Sequence, residues 1–268
     1  SDGQNEEKPL PTIEITSGNA SKKYDGTPLT NFYYEISGTL KLGHEVIVNI
    51  NTEITQVGVV ENKFTSIILD TNGEDVSAEY NIREIYGTLV IVTNDEKTLI
   101  EFQVYNLKKV YDGTVLEHED DDYWIPTNNL PSNYTVNIDI IGSIKEVEFK
   151  RTYIDKTTLR IYDENGYDVT NKFSIVCYFG SIEILKREIT ITSFSAQKEY
   201  DGTPLTLDLY IISKGSVAKN EIITVEISGS NSMIGEEPNT IKSVKITDRS
   251  GQDVTKNYIV TKDPGRLI

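Results

Sequence analysis

The sequence predicts an all-β protein of three tandem immunoglobulin-like β-sandwich modules that form an elongated rod, and three observations carry that prediction. The tetrapeptide Tyr-Asp-Gly-Thr recurs at Tyr24, Tyr111 and Tyr200, 87 and 89 residues apart, and a period of that size sets the folding unit before any finer reading. Short runs alternate apolar and polar residues, as in Ile13-Glu14-Ile15, Ile100-Glu101-Phe102 and Ile189-Thr190-Ile191, which is the period of a half-buried strand. No segment sustains the apolar period of an amphipathic helix. The alternative is a β-grasp-like module, disfavoured because it needs a long helix.

Within each repeat the landmarks keep their order. An isoleucine (Ile13, Ile100, Ile189) opens the first strand eleven residues before the motif tyrosine. Strands are expected in the first repeat over 13–17, 32–37, 45–50, 64–69 and 80–91. Downstream lie Asp70-Thr-Asn-Gly-Glu-Asp75, Asp163-Glu-Asn-Gly-Tyr-Asp168 and Asp248-Arg-Ser-Gly-Gln-Asp253, each followed by an aromatic: Tyr80, Phe173 or Tyr258. Seven residues later comes a glycine: Gly87, Gly180 or Gly265. The modules therefore run over 12–92, 99–186 and 187–268, behind a disordered polar tail (1–11) that does not read as a signal peptide. A polar linker joins the first two modules and almost none the last two, so that second junction is expected to be stiff.

Composition narrows the function. The net charge is −16, with 42 acidic residues, and nucleic-acid binding needs the opposite sign. No apolar run is long enough to span a bilayer, so direct membrane insertion is not expected. The single cysteine, Cys177, excludes an internal disulfide, and its charged counterparts Glu84 and Lys262 place it facing solvent or at a sheet edge. No Ser/His/Asp set, phosphate loop or metal-ligand cluster is found, and the chain reads as non-enzymatic.

The repeated motifs read first as structure. In Tyr24-Asp25-Gly26, Tyr111-Asp112-Gly113 and Tyr200-Asp201-Gly202 the Asp-Gly pair supplies a turn with a positive-φ glycine. Asn72-Gly73 and Asn165-Gly166 signal hairpin turns. The acids flanking them, Asp70 with Asp75 and Asp163 with Asp168, are also spaced to offer oxygens to Ca²⁺; no other cofactor is expected. Asp75 can instead cap a single helical turn. Tyr80 and Tyr258 are placed to be corner tyrosines whose hydroxyls bond the backbone, which Phe173 cannot do. Lys22, Lys109 and Lys198, two residues before each motif tyrosine, with Asn81 and Asn257, are candidate partners in an isopeptide crosslink, but the asparagines differ in position, Asn81 following its tyrosine and Asn257 preceding its own. One segment breaks the repeat, the acidic run ending in Asp121-Asp122-Tyr123-Trp124. It carries the only tryptophan and is the candidate binding patch.

Lys-x-Tyr-Asp-Gly-Thr-Pro-Leu, Val57-Gly58-x-x-x-Asn62 with Ile234-Gly235-x-x-x-Asn239, and the Asp-Val-Thr-x-x-Tyr and Gly-Thr-Leu pieces together resemble the YDG/MBG-type tandem repeats of bacterial cell-surface, adhesin-like proteins. The second repeat lacks the Val-Gly-x-x-x-Asn piece. The resemblance implies an extracellular array on the bacterial surface, monomeric within a longer chain, and supplies no catalytic residues. It leaves three functions: a stalk or spacer, a binding array for host glycan, mucin or extracellular protein, or accessory modules of a secreted enzyme.

Overall fold

Because its apolar residues alternate, the chain folds almost wholly into short strands, and in the computed structural model residues 9–268 are described. The expected tail lies largely outside them. The first repeat holds β1 (Thr12–Ser17), β2 (Ala20–Lys23), β3 (Tyr34–Ser37), β4 (Glu45–Ile50), β5 (Gly58–Asn62), β6 (Phe64–Leu69), β7 (Asn81–Ile85) and β8 (Gly87–Val92). The second holds β9 (Thr98–Val104), β10 (Asn106–Val110), β11 (Leu116–Glu117), β12 (Tyr123–Trp124), β13 (Thr135–Asn137), β14 (Ile140–Ile141), β15 (Ser143–Ile144), β16 (Glu148–Ile154), β17 (Arg160–Tyr162), β18 (Phe173–Tyr178) and β19 (Gly180–Leu185). The third holds β20 (Arg187–Ser193), β21 (Tyr210–Lys214), β22 (Ile222–Ile227), β23 (Glu237–Pro238), β24 (Ile241–Thr247), β25 (Tyr258–Asp263) and β26 (Arg266–Leu267). A single 3-10 turn precedes the penultimate strand of each repeat, at Ser77–Glu79, Thr170–Lys172 and Thr255–Asn257. The fold is all-β. Among the described residues there is no α-helix, so the long helix of the β-grasp alternative is not found there.

The first repeat shows the construction. β1 and β2 are one strand interrupted at Gly18-Asn19, and β7 and β8 are one strand interrupted at Tyr86. These two long strands run parallel, Thr12–Thr16 beside Asn81–Ile85 and Ala20–Lys23 beside Leu89–Val92. At the interruption each changes sheets: β1 and β7 join β3, whereas β2 and β8 join β5. The switch demands close approach of the backbones. A Cβ on Gly87 would lie 2.3 Å from the Gly18 carbonyl oxygen, and one on Gly180 the same distance from that of Tyr105. Contact between such atoms is forbidden, so the repeated glycine of the sequence is a crossing point.

The inward residues of β1, β4 and β6 fill the first core: Ile13, Ile15, Val46, Ile50, Phe64 and Ile68, with Tyr80. Ile100, Phe102, Val104, Leu159, Ile161 and Phe173 form the corresponding core of the second repeat. Each is the apolar side of a two-residue alternation, with polar neighbours turned outward.

The chain gathers into two compact units. One comprises residues up to Tyr105 with Glu119–Ile141 and Thr152–Gly180; the other comprises Asn106–His118, Gly142–Arg151 and Ser181–Ile268. The division falls inside the second repeat, because the repeat junctions are themselves packed. In the first unit Val90 of repeat one shares a buried cluster with Val176 and Tyr178 of repeat two. In the second, Tyr111, Ile182 and Ile184 of repeat two share one with Ile189, Ile191 and Tyr258 of repeat three.

Candidate functional site

The Tyr-Asp-Gly-Thr motif forms the same clasp three times. Asp25 Oδ1 accepts the Thr27 N–H at 2.9 Å, the Thr27 hydroxyl at 2.7 Å and Lys22 Nζ at 2.7 Å. Asp112 with Thr114 and Lys109, and Asp201 with Thr203 and Lys198, repeat the pattern. The glycines between carry φ of 77°, 78° and 76°, the left-handed region that favours glycine. The bound ammonium, hydroxyl and N–H hold the Asp25 and Asp201 carboxyls well below the usual range. For Asp112 partial desolvation opposes the same donors, which prevail and leave it at about 2. The three lysines that could enter a crosslink are thus engaged by their own turns. Of the two asparagines, Asn81 is exposed, whereas Asn257 is buried and bonded to Glu146 and the Val147 N–H.

The motif tyrosines differ. Tyr24 is half exposed and Tyr200 is 64% exposed, but Tyr111 is 2% exposed. Position in the chain, rather than motif chemistry, decides their burial.

In the acid-flanked turns, Asp70 Oδ1 accepts the N–H groups of Asn72 and Glu74, and Asp163 Oδ1 those of Asn165 and Tyr167. Asp75 and Asp168 each accept the first N–H of the following helical turn, Ser77 and Thr170. One oxygen of every candidate calcium ligand therefore serves the backbone. Among the described residues no group of three or more His, Cys, Asp or Glu is placed to hold a metal ion. The corner tyrosines behave as their positions predict: Tyr80 OH accepts the Lys41 N–H and Tyr258 OH the Ala218 N–H, both at 2.9 Å.

Two arrangements escaped sequence reasoning. The first is a buried lock where the long strands cross. Ser17 Oγ donates to the Asn62 carbonyl at 2.6 Å and accepts the Gly87 N–H at 2.9 Å. Asn62 Nδ2 ties the Gly18 and Asn31 carbonyls. Ser193, Asn239 and Gly265 rebuild it in the third repeat. In the second, Val104 stands where Ser17 does, and the buried Thr152 lies on β16, the neighbour of β19. The available signal was the Val-Gly-x-x-x-Asn piece, which ends on the locking asparagine.

The second is a carboxylate at each repeat junction. Glu101 accepts the hydroxyls of Ser21 and Tyr178, one from each repeat. Glu221 accepts Tyr111 OH at 2.7 Å and also Tyr258 OH. Burial and the adjoining carboxylate push the phenols of Tyr111 and Tyr258 well above the ordinary tyrosine value, so they remain donors. Arg187 completes the second junction by donating to the Tyr111 carbonyl and to Ser216.

At the segment that breaks the repeat, β12 pairs antiparallel with β9, Tyr123 opposite Val104 and Trp124 opposite Gln103. Alternation sends Tyr123 inward against Phe102 and Trp124 outward, where it stacks on Tyr105 at 5.1 Å between ring centroids. Trp124 is 44% exposed. Asp122 Oδ2 caps the Glu119 N–H, while Asp121 is exposed and its carbonyl accepts the Tyr123 N–H. Of the four binding candidates, Trp124 and Asp121 face outward and Tyr123 belongs to the core. Cys177 lies on the edge strand β18, but its side chain packs on the second core. Desolvation pushes its thiol up to about 11, so it stays protonated at neutral pH.

Among the described residues, no helix is long and apolar enough to cross a membrane. No family model matches the chain, and no curated protein is similar to it.

Proposed function

We propose that the chain is a non-catalytic extracellular spacer of a bacterial surface protein, its three repeats immunoglobulin-like modules arranged end to end as a stalk. The observation that carries this reading is where the repeated polar residues direct their bonds. Asp25, Asp112 and Asp201 close their own turns, Asp75 and Asp168 cap their own helical turns, and Ser17 and Ser193 lock strand crossings. Among the described residues these repeated polar side chains therefore serve the scaffold. The packed junctions at Glu101 and Glu221 further favour a spacer, since they tie one repeat to the next.

A second reading, a binding array for host glycan or extracellular protein, is favoured by the outward Tyr105–Trp124 stack, with Tyr153 and Phe179 also half exposed. Rings held by one another present area at little conformational cost. An array of host glycans and matrix proteins probed with the chain and with Trp124→Ala separates the two. The spacer reading predicts no binding above background for either protein. Binding by the parent that Trp124→Ala abolishes would replace it with the second reading.

A further inference from the structure

We propose that each repeat is a force-bearing unit, clamped by parallel pairing of its first and last strands so that tension along the chain loads the clamp in shear. The proposal rests on the spacer reading for the direction in which load arrives, and on topology for the response.

In every repeat the chain enters on the first strand and leaves on the last. Those two strands are neighbours and parallel: β1–β2 with β7–β8, β9 with β18 and β10 with β19, and β20 with β25. The third repeat continues its pairing past β25 through the Ala196–Leu267 bridge. Pulling the start of the first strand against the end of the last slides the strands along each other. The inter-strand hydrogen bonds lie across that motion and are evenly spaced in a parallel ladder, so they share the load and must fail together. An antiparallel pair pulled from its open end instead parts one bond at a time.

Three features oppose sliding. Ile13 and Ile15 on β1, and Leu89 and Ile91 on β8, are buried, so movement drags apolar side chains out of packed positions. The lock bonds the strands directly, through Gly87 N–H to Ser17 Oγ and Thr88 N–H to Asn19 Oδ1; its counterparts in the third repeat are Gly265 N–H to Ser193 Oγ and Arg266 N–H to Ser195 Oγ. The Tyr-Asp-Gly-Thr clasp stands at the end of the ladder, where the Tyr24 and Tyr111 N–H groups bond the Val92 and Leu185 carbonyls. Load passes from the second repeat to the third with little slack, since one residue, Lys186, separates β19 from β20. The second repeat has Val104 in place of the locking serine, and it is the weakest clamp of the three.

The test stretches the full chain, with Cys177→Ala, between its termini in a single-molecule force instrument. The control tethers the same chain between the N-terminus and a thiol at Ser37→Cys. Because Glu14 pairs with the exposed Ser37 in the antiparallel β1–β3 pair, that control unzips the same repeat. Forced rupture reports the unfolding barrier along the pulled direction, so termini-pulling is expected to need at least about twice the control force. Ser17→Ala with Ser193→Ala should bring the stronger two of three rupture events down to the weakest. Equal or lower force between the termini than in the control would overturn the clamp, as would rupture forces indifferent to the serines. Low forces in a chain that still scatters as an extended particle would sink the clamp alone and leave the spacer standing.

Discussion

Tyr258→Phe removes one oxygen and should cost about 3 kcal/mol, an expectation built from what that oxygen holds. Tyr258 is 4% exposed, and its hydroxyl accepts the N–H of Ala218, itself 2% exposed. It also donates to Glu221. Leaving a buried N–H without an acceptor costs about 1–3 kcal/mol, and a hydrogen bond to a charged group contributes roughly 1.5–3 kcal/mol. The sum is reduced because Glu221 keeps Tyr111 as a donor. Tyr80→Phe is the internal control: the same hydroxyl bonds the N–H of Lys41 and the ring Nδ1 of His44. Neither partner is a carboxylate, so the cost should be lower, nearer about 1 kcal/mol. Urea titration followed by hydrogen exchange at β25 and β7 measures both, with unchanged m-values as the condition for comparing midpoints. A loss below about 0.5 kcal/mol for Tyr258→Phe, or a larger loss for Tyr80→Phe, would refute the claim that the hydroxyl secures a buried junction.

Other consequences are as direct. Gly87→Ala should destabilise the first repeat by about 3 kcal/mol or more through overpacking at the strand crossing, while Gly73→Ala, with nothing within 4 Å of a new Cβ, should lose only the roughly 1–2 kcal/mol of a left-handed backbone; equal melting shifts would contradict the crossing geometry. Because the folded carboxyl of Asp112 sits at about 2 instead of 3.8, its contribution is present above pH 3.8 and fades as pH falls toward 2, so Asp112→Asn should flatten acid destabilisation in that window, as equilibrium unfolding against pH will show. The Cys177 thiol should react slowly with a disulfide reagent at pH 8 until urea exposes it, and rapid labelling of the native chain would count against its burial. If the Asp70/Asp75 and Asp163/Asp168 turns are sustained by backbone bonds alone, melting should be the same with calcium and with chelator; a calcium-dependent rise would assign them the ion.

The sequence made strands legible where one face is buried. β1, β4 and β6 alternate cleanly and lie within a residue of the expected 13–17, 45–50 and 64–69. It hid β2 and β5 because Ala20-Ser-Lys-Lys23 and Gly58-Val-Val-Glu-Asn62 lack a clean apolar alternation; what defines them is a partner strand elsewhere in the chain. The expected single strand over 80–91 breaks at Tyr86, since the pair must change sheets there. Local chemistry was equally readable: Asp-Gly turns, Asp caps and corner tyrosines depend on residues a few positions apart. The Ser17–Asn62–Gly87 lock and the Glu101 and Glu221 junctions were not, because their partners are distant in sequence; only the Val-Gly-x-x-x-Asn piece and the repeated glycine marked the lock. Cys177 followed its charged counterparts only in part, being on an edge strand yet turned onto the core.

The most direct test of the spacer account is small-angle X-ray scattering of the full chain. A strand such as Thr12–Lys23 covers roughly 40 Å at about 3.3 Å per residue, so three repeats end to end reach about 120 Å and, as a rod, give a radius of gyration of roughly 35 Å. The same 268 residues collapsed into one globule would give about 18 Å. The account predicts the larger value, and a measured value near the smaller would contradict it.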